Sequence, residues 1–182
     1  MAAPLSVTIT AGAEGPWRIT GIAAHAGDSL PPAARLLVDE GLSEPRDGAG
    51  RLRGVTSNLR YTAEAERATL AGVQQGLGRP GSTRAALIPI RKSDAWWDMA
   101  QDARRAVLEE QSRHIAIGLE YLPAVARRLI HCRDLGEPFD FLTWFEFAPE
   151  HETRFDALLA RLRATAEWRY VTREVEIRLA MD

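Results

Sequence analysis

A chain of 182 residues, 46% apolar and 26% charged, carries enough hydrophobic material for one full-sized domain or two small fused ones, which excludes wholesale disorder. A formal charge of -2 and a pI near 6.1 lack the basic excess that phosphate backbones demand, so no nucleic acid is expected as a partner. The single cysteine, Cys132, excludes an intrachain disulfide and any multi-cysteine metal cluster; with no apolar run near the ~20 residues of a membrane span and no secretory pattern at the N-terminus, a soluble, cytoplasmic protein is expected, with no membrane partner.

Residues 7–10 and 17–23 alternate β-branched with small or polar side chains and read as strands. Residues 28–32 read as a loop, and 44–50 are turn-forming almost throughout, which predicts a surface loop near 43–50. Residues 54–60 read as a strand, followed by Thr62 as the N-cap of a helix with Glu64 and Glu66 in its first turn, where negative charge suits the helix dipole. Ala68, Leu70, Ala71, Val73 and Leu77 give that helix an apolar side, and Gly76 with residues 78–80 stops it. Residues 85–90 form the next strand, with Pro89 pointing to an edge or a bulge.

Ser93 caps a short helix carrying Trp96 and Trp97. A longer helix is expected over 101–118, with Ala103, Val107, Glu110, His114 and Ile117 on one face. Residues 124–131 fit a helix turn or a strand equally, whereas the aromatic-rich 139–147 are spaced for a strand. Pro149 stands at a helix start ahead of Phe155, Leu158, Leu159 and Leu162, and 170–179 alternate cleanly as the closing strand. A faint echo links Leu-Arg-Tyr-Thr-Ala-Glu-Ala-Glu at 59–66 with Phe-Glu-Phe-Ala-Pro-Glu-His-Glu at 145–152, each a strand end feeding an acidic helix start. The expected fold is α+β: two ferredoxin-like halves, 1–91 and 92–182, with antiparallel sheets covered by helices.

Two features bear on chemistry. Of 23 basic residues 22 are arginine, leaving Lys92 as the lone lysine; a GC-rich genome explains the bias, and a site needing a compact ammonium would explain the exception. Among the four histidines, His25 and His151 lie in exposed-looking contexts and His131 lacks a second ligand pair, whereas His114 falls on the apolar face of the long helix. On periodicity alone, a satisfied core histidine is the commoner reading of His114.

Ile-Pro-Ile-Arg-Lys-Ser-Asp-Ala-Trp-Trp at 88–97, His114, Tyr-Leu-Pro-Ala-Val-Ala-Arg at 121–127 and Glu-Pro-Phe-Asp-Phe-Leu-Thr-Trp-Phe-Glu at 137–146 together resemble the chlorite dismutase family, its short-chain branch in particular. The resemblance runs from about residue 54 to the end and leaves residues 1–53 without a role. It implies a dimeric α/β-barrel type of fold with a trimmed N-terminal half, haem b with its iron as cofactor, conversion of chlorite to chloride and dioxygen, and a homodimer. It further implies that His114 is the iron ligand, that Glu167 accepts a hydrogen bond from its imidazole, and that Lys92 joins this proximal network. Trp96 and Tyr61 match residues contacting the haem propionates, Trp97 packs near the proximal side, and Gln74 faces the distal pocket. Arg127 matches the distal arginine, whose fixed charge and several donors suit chlorite and other small anions, including the hypochlorite left once one oxygen has been given up. Coproheme decarboxylases and haem-dependent peroxidases share the superfamily, as would a non-enzymatic haem-binding protein. The first characteristically lack the distal arginine, no distal histidine or aspartate stands ready for peroxide protons, and a carrier needs no anion-holding group.

Overall fold

A computed structural model of the chain describes residues 4–41, 48–56, 63–73 and 76–182. The described elements run β1 (Ser6–Gly12), β2 (Trp17–Ala26), β3 (Arg35–Glu40), β4 (Gly50–Thr56), α1 (Glu64–Val73), β5 (Arg84–Lys92), α2 (Asp94–Asp98) and α3 (Gln101–Arg105). A π-helical turn (Ala106–Gln111) follows, then α4 (His114–Tyr121), β6 (Val125–His131), β7 (Phe141–Phe147), α5 (Glu152–Arg163), a 3-10 turn (Ala166–Tyr170) and β8 (Val171–Met181). The strands close into one antiparallel barrel in the order β1-β3-β2-β8-β5-β7-β6-β4.

Alternation along each strand divides two apolar layers. Leu87 of β5, Ile130 of β6, Leu142 and Trp144 of β7, and Val175, Ile177 and Leu179 of β8 point inward and fill the barrel with Val7, Ile9, Trp17 and Leu36. The opposite parity (Ala86, Ile88, Ile90, Val125, Phe145, Phe147) faces outward and is covered by Ile117 and Tyr121 of α4 and by Phe155, Leu158, Leu159 and Leu162 of α5. α4 therefore lies across the outer face of β5, β6 and β7, and that placement positions the site.

Several expectations are corrected. β3 was not anticipated, because Arg-Leu-Leu-Val-Asp-Glu at 35–40 has a short apolar run without alternation; pairing with β1 from Val7↔Glu40 to Gly12↔Arg35 supplies what periodicity does not. β4 begins at Gly50 rather than 54; residues 57–60, Thr62 and most of the 43–50 loop lie outside the described residues. β5 is no edge strand: it is paired by β7 and β8, and its pairing with β8 passes from Leu87↔Ile177 to Ile90↔Glu174, opening where Pro89 has no N–H to give. The ambiguous 124–131 segment is strand β6. In α1, Leu70 is buried while Ala68 and Val73 are exposed, so the apolar side is narrower than its sequence.

The most consequential correction concerns the single helix expected over 101–118. It is broken: α3 passes into the π turn, and the chain leaves it through Arg113 at φ 53, a left-handed conformation rare for a residue with a side chain. His114 thus opens a new helix instead of sitting within a long one.

Candidate active site

His114, Glu167 and Lys92 meet in one chain of short bonds. The His114 ring Nδ1 lies 2.6 Å from Glu167 Oε2, and Lys92 Nζ lies 2.6 Å from Glu167 Oε1. Burial pushes the Glu167 pKa up, but the charges and hydrogen bonds of His114 and Lys92 outweigh it and hold the carboxyl at about 2. An ionised carboxylate only accepts, so Nδ1 carries a proton and donates it, and in the neutral ring the lone pair is then on Nε2. Lys92 and Glu167 side chains are 3% and 5% exposed, whereas His114 is 23% exposed, so the enclosed end of the triad is the salt bridge and the open end is the imidazole.

Each member is held by local structure. Lys92 ends β5 at a register shift against β8, where Lys92 pairs with Val171; its backbone N–H donates to Asp140 Oδ2 at 2.7 Å. Its ammonium lies 4.5 Å over the Trp96 ring and 5.5 Å over Trp168, cation–π contacts that offset part of its desolvation. Ser93 accepts the Trp96 N–H and caps α2, which places Trp96, 1% exposed, between Lys92 and Tyr170. Trp97 packs against the cluster that holds Trp96 and Ile115, its Nε1 donates to Asp140 Oδ2 at 3.1 Å, and its ring lies under the Arg133 guanidinium and stacks on Phe141.

Arg127 belongs to the outward parity of β6, opposite Phe145 of β7, and points at α4. A Cβ added to Gly118 would lie 3.7 Å from Arg127 Nη1, so the guanidinium approaches α4 one turn beyond His114 on the same helical face. Arg128, of inward parity, forms an ion pair with Glu40 instead. Burial lowers the Arg127 pKa, yet a guanidinium starts so high that it stays cationic at any working pH. A cation in such desolvated surroundings attracts an anion more strongly than one in water.

The structure therefore brings His114, Glu167, Lys92 and Trp96 together and sets Arg127 across from the helix that carries His114. It draws Trp97 to Asp140, while Tyr61 and Gln74 lie outside the described residues. Of the other histidines, His25 bonds Glu176 Oε2 at 2.8 Å, His131 packs edge-on to Phe141, and His151 ends the short turn before α5. Among the described residues no three His, Cys, Asp or Glu side chains cluster as metal ligands. One carboxylate-oriented imidazole with an open Nε2 suits a metal that arrives with its other donors already in place.

Three residues not singled out from the sequence complete the arrangement: Asp140, which gathers Lys92, Trp97 and Arg133, and Glu109 and Ser112, at the helix break. Asp140 stands out as a lone acid between Phe139 and Phe141; the other two carry no comparable signal beyond a serine within an expected helix interior.

Comparison with known proteins gives one consistent result. A family model described as chlorite dismutase matches residues 53–181. The chlorite dismutase of Ideonella dechloratans is 31% identical over 97 residues, 52% of this chain, a match spanning only about a third (33%) of that relative. The crystal structure of a dimeric chlorite dismutase from Nitrobacter winogradskyi is 55% identical, with a TM-score of 0.91 over 97% of this chain and 99% of that one. A variant of the chlorite dismutase from Candidatus Nitrospira defluvii, in complex with cyanide, shares the fold at 19% identity, with a TM-score of 0.68 over 98% of this chain and 90% of its own.

Proposed function

The chain belongs to the chlorite dismutase family, and from that premise we propose that it is a haem b enzyme converting chlorite to chloride and dioxygen. The observation that carries the reading is the pairing of an imidazole fixed by Glu167 and Lys92 with a desolvated arginine facing the same helix. Haem would fit this donor set: its macrocycle would supply four nitrogens, and His114 Nε2 is the ligand that the described residues would offer it. When bound, the haem iron supplies the redox chemistry that takes one oxygen atom from chlorite and returns it in dioxygen.

The protein's part is electrostatic and positional. Glu167, kept ionised, draws the Nδ1 proton toward itself and makes the imidazole a more electron-rich ligand, as a carboxylate does behind metal-bound histidines generally. Lys92 neutralises Glu167, so that the buried triad carries no uncompensated negative charge. Arg127 binds chlorite on entry and holds the hypochlorite fragment in place until its oxygen is consumed, a task for a permanent cation with several donors. Trp96 walls the proximal side beside Lys92. Its contact with the propionates, the nearby place of Trp97, and the roles of Tyr61 at the propionates and Gln74 in the distal pocket are supported by the family resemblance.

The proposal also reads the barrel as two ferredoxin-like halves. The order β8-β5-β7-β6 with its helices supports a β-α-β-β-α-β half that includes β5 and would hold the haem, which moves the proposed boundary from after residue 91 to just before residue 84. No helix among the described residues is long and apolar enough to cross a membrane. The reading places the enzyme in the cytoplasm as a homodimer, the latter supported by the dimeric relative; cell fractionation and light scattering check the two.

Oxygen evolution from chlorite, measured on an electrode with haem-loaded protein, tests the function. Wild type is expected to release oxygen, Arg127→Ala to lose most of it (about 100-fold, as for removal of one strong anion-stabilising donor), and His114→Ala to fail to hold haem. No oxygen from fully loaded wild type overturns the reading.

A further inference from the structure

Both partners of the His114–Glu167 bond are fastened to the same π-helical turn. α4 starts abruptly after Arg113, whose side chain makes no cap, so the first backbone N–H groups of α4 need acceptors from elsewhere. Glu109, within the π turn, supplies them: Oε2 accepts from the N–H of Ile115 at 2.7 Å and Oε1 from that of Ala116 at 3.3 Å. At the turn's end, Ser112, 4% exposed, accepts the backbone N–H of Glu167 on its Oγ at 2.9 Å. One carboxylate thus seats the helix bearing the imidazole, and a hydroxyl two residues before that imidazole seats the residue it bonds.

We propose that Glu109 and Ser112 are positioning residues that together fix the His114–Glu167 bond, and with it the direction of His114 Nε2. Side chains at 109 and 112 reach their partners because the chain leaves the π turn through left-handed Arg113. Unbroken α-helix would leave the N–H groups of residues 115 and 116 bonded to carbonyls one turn back, with no role for a side-chain carboxylate. The geometry belongs to this chain with or without a cofactor; its consequence for iron rests on the proposed function.

The test uses haem-free protein first. A strongly bonded Nδ1 proton of His114 gives a low-field proton resonance, assigned by its loss in His114→Ala, and its exchange with water measures how often the bond opens. Glu109→Gln and Ser112→Ala are each expected to speed that exchange about five- to tenfold, the factor a lost helix cap corresponds to. Amides of β8 at 175–177 should keep their protection, which a merely structural loss would not allow. Glu109→Asp and Ser112→Thr stand in should either variant fail to fold, and Glu137→Gln, at the Arg53 surface pair, is the control. In ferrous haem-loaded protein the same variants should lower the iron–imidazole stretching frequency.

Unchanged exchange in folded variants overturns the proposal, as does the absence of a His114-dependent low-field proton in wild type. A loaded spectrum unaffected by His114→Ala would instead overturn the haem reading, while the exchange data would still decide the roles of Glu109 and Ser112.

Discussion

Glu167 shows why the triad needs all three members. Removing either oxygen's partner leaves a nearly enclosed carboxylate with half its compensation, and unpaired buried charge is among the most expensive defects a fold can carry. Lys92→Met keeps the volume and the contact with the Trp96 ring but strips Oε1 of its ammonium. Urea unfolding of the haem-free protein should show a loss of about 3 kcal/mol, the lower end for breaking a buried pair because His114 stays bonded. Adding Glu167→Gln to Lys92→Met should recover part of that loss, since the charge left stranded is then gone. Equal stability of Lys92→Met and wild type would mean that the bridge contributes nothing.

At the scale of elements, β8 and α5 are joined by ions as well as by apolar side chains. Arg163 of α5 donates to Glu174 and Glu176 of β8, Arg178 bonds Glu176 and Asp156, and Trp168 donates to Glu174. Burial pushes the Glu176 carboxyl up from its ordinary 4.5, but the bonds from Arg163 and Arg178 bring it below that value. A carboxyl depressed in the folded state contributes stability that is complete above its unfolded pKa and fades as pH falls through the folded one. Glu176→Gln should therefore be less stable than wild type at pH 7, with the gap closing below about pH 4.5. Unfolding midpoints measured from pH 7 to 3 check this; a gap that persists undiminished to pH 3 refutes it. This layer was legible in part. Phe155, Leu158, Leu159 and Leu162 announced the buried face of α5, and the alternation of 170–179 announced β8. The acid partners were invisible because Glu174 and Glu176 occupy positions that alternation marks as outward, and sequence does not say that α5 covers them. The break at Arg113 was hidden for a related reason: no Gly or Pro stands there, and what makes it tolerable is side-chain bonding that periodicity does not show, the Glu109 carboxylate to the first N–H groups of α4 and the Ser112 hydroxyl to the backbone of distant Glu167. Lys92 and His114 could be singled out by composition and spacing; their meeting on Glu167, 53 residues beyond His114, is a product of topology.

The whole molecule is a closed ring of strands, and such a ring opens where its ladders are shortest. β2 and β3 share the pairs Trp17↔Leu36 and Arg18↔Arg35, and among the described residues β4 meets β6 through Val55↔His131 and Thr56↔Ile130. At the second seam Gly54 is required by space: a Cβ there would run into Ile130 Cγ2 and come within 2.8 Å of the His131 carbonyl oxygen and 2.9 Å of Cys132 Sγ. Gly54→Ala should cost roughly 1–3 kcal/mol through overpacking. Gly72→Ala, in α1 with open space around it, should gain up to about 1 kcal/mol from helix propensity. Thermal unfolding of the two variants side by side distinguishes them; the same sign in both would contradict the packing assigned to the seam.

The single lysine has a practical corollary. A lysine-specific endoprotease has one bond in this chain to cut, the bond after Lys92, and that residue is buried with its ammonium locked on Glu167. Digestion should then proceed only as fast as the Lys92–Glu167 bridge unfastens, and should yield two fragments with no background cleavage elsewhere. The chain thus carries its own clock for the opening of the buried bridge between Lys92 and Glu167.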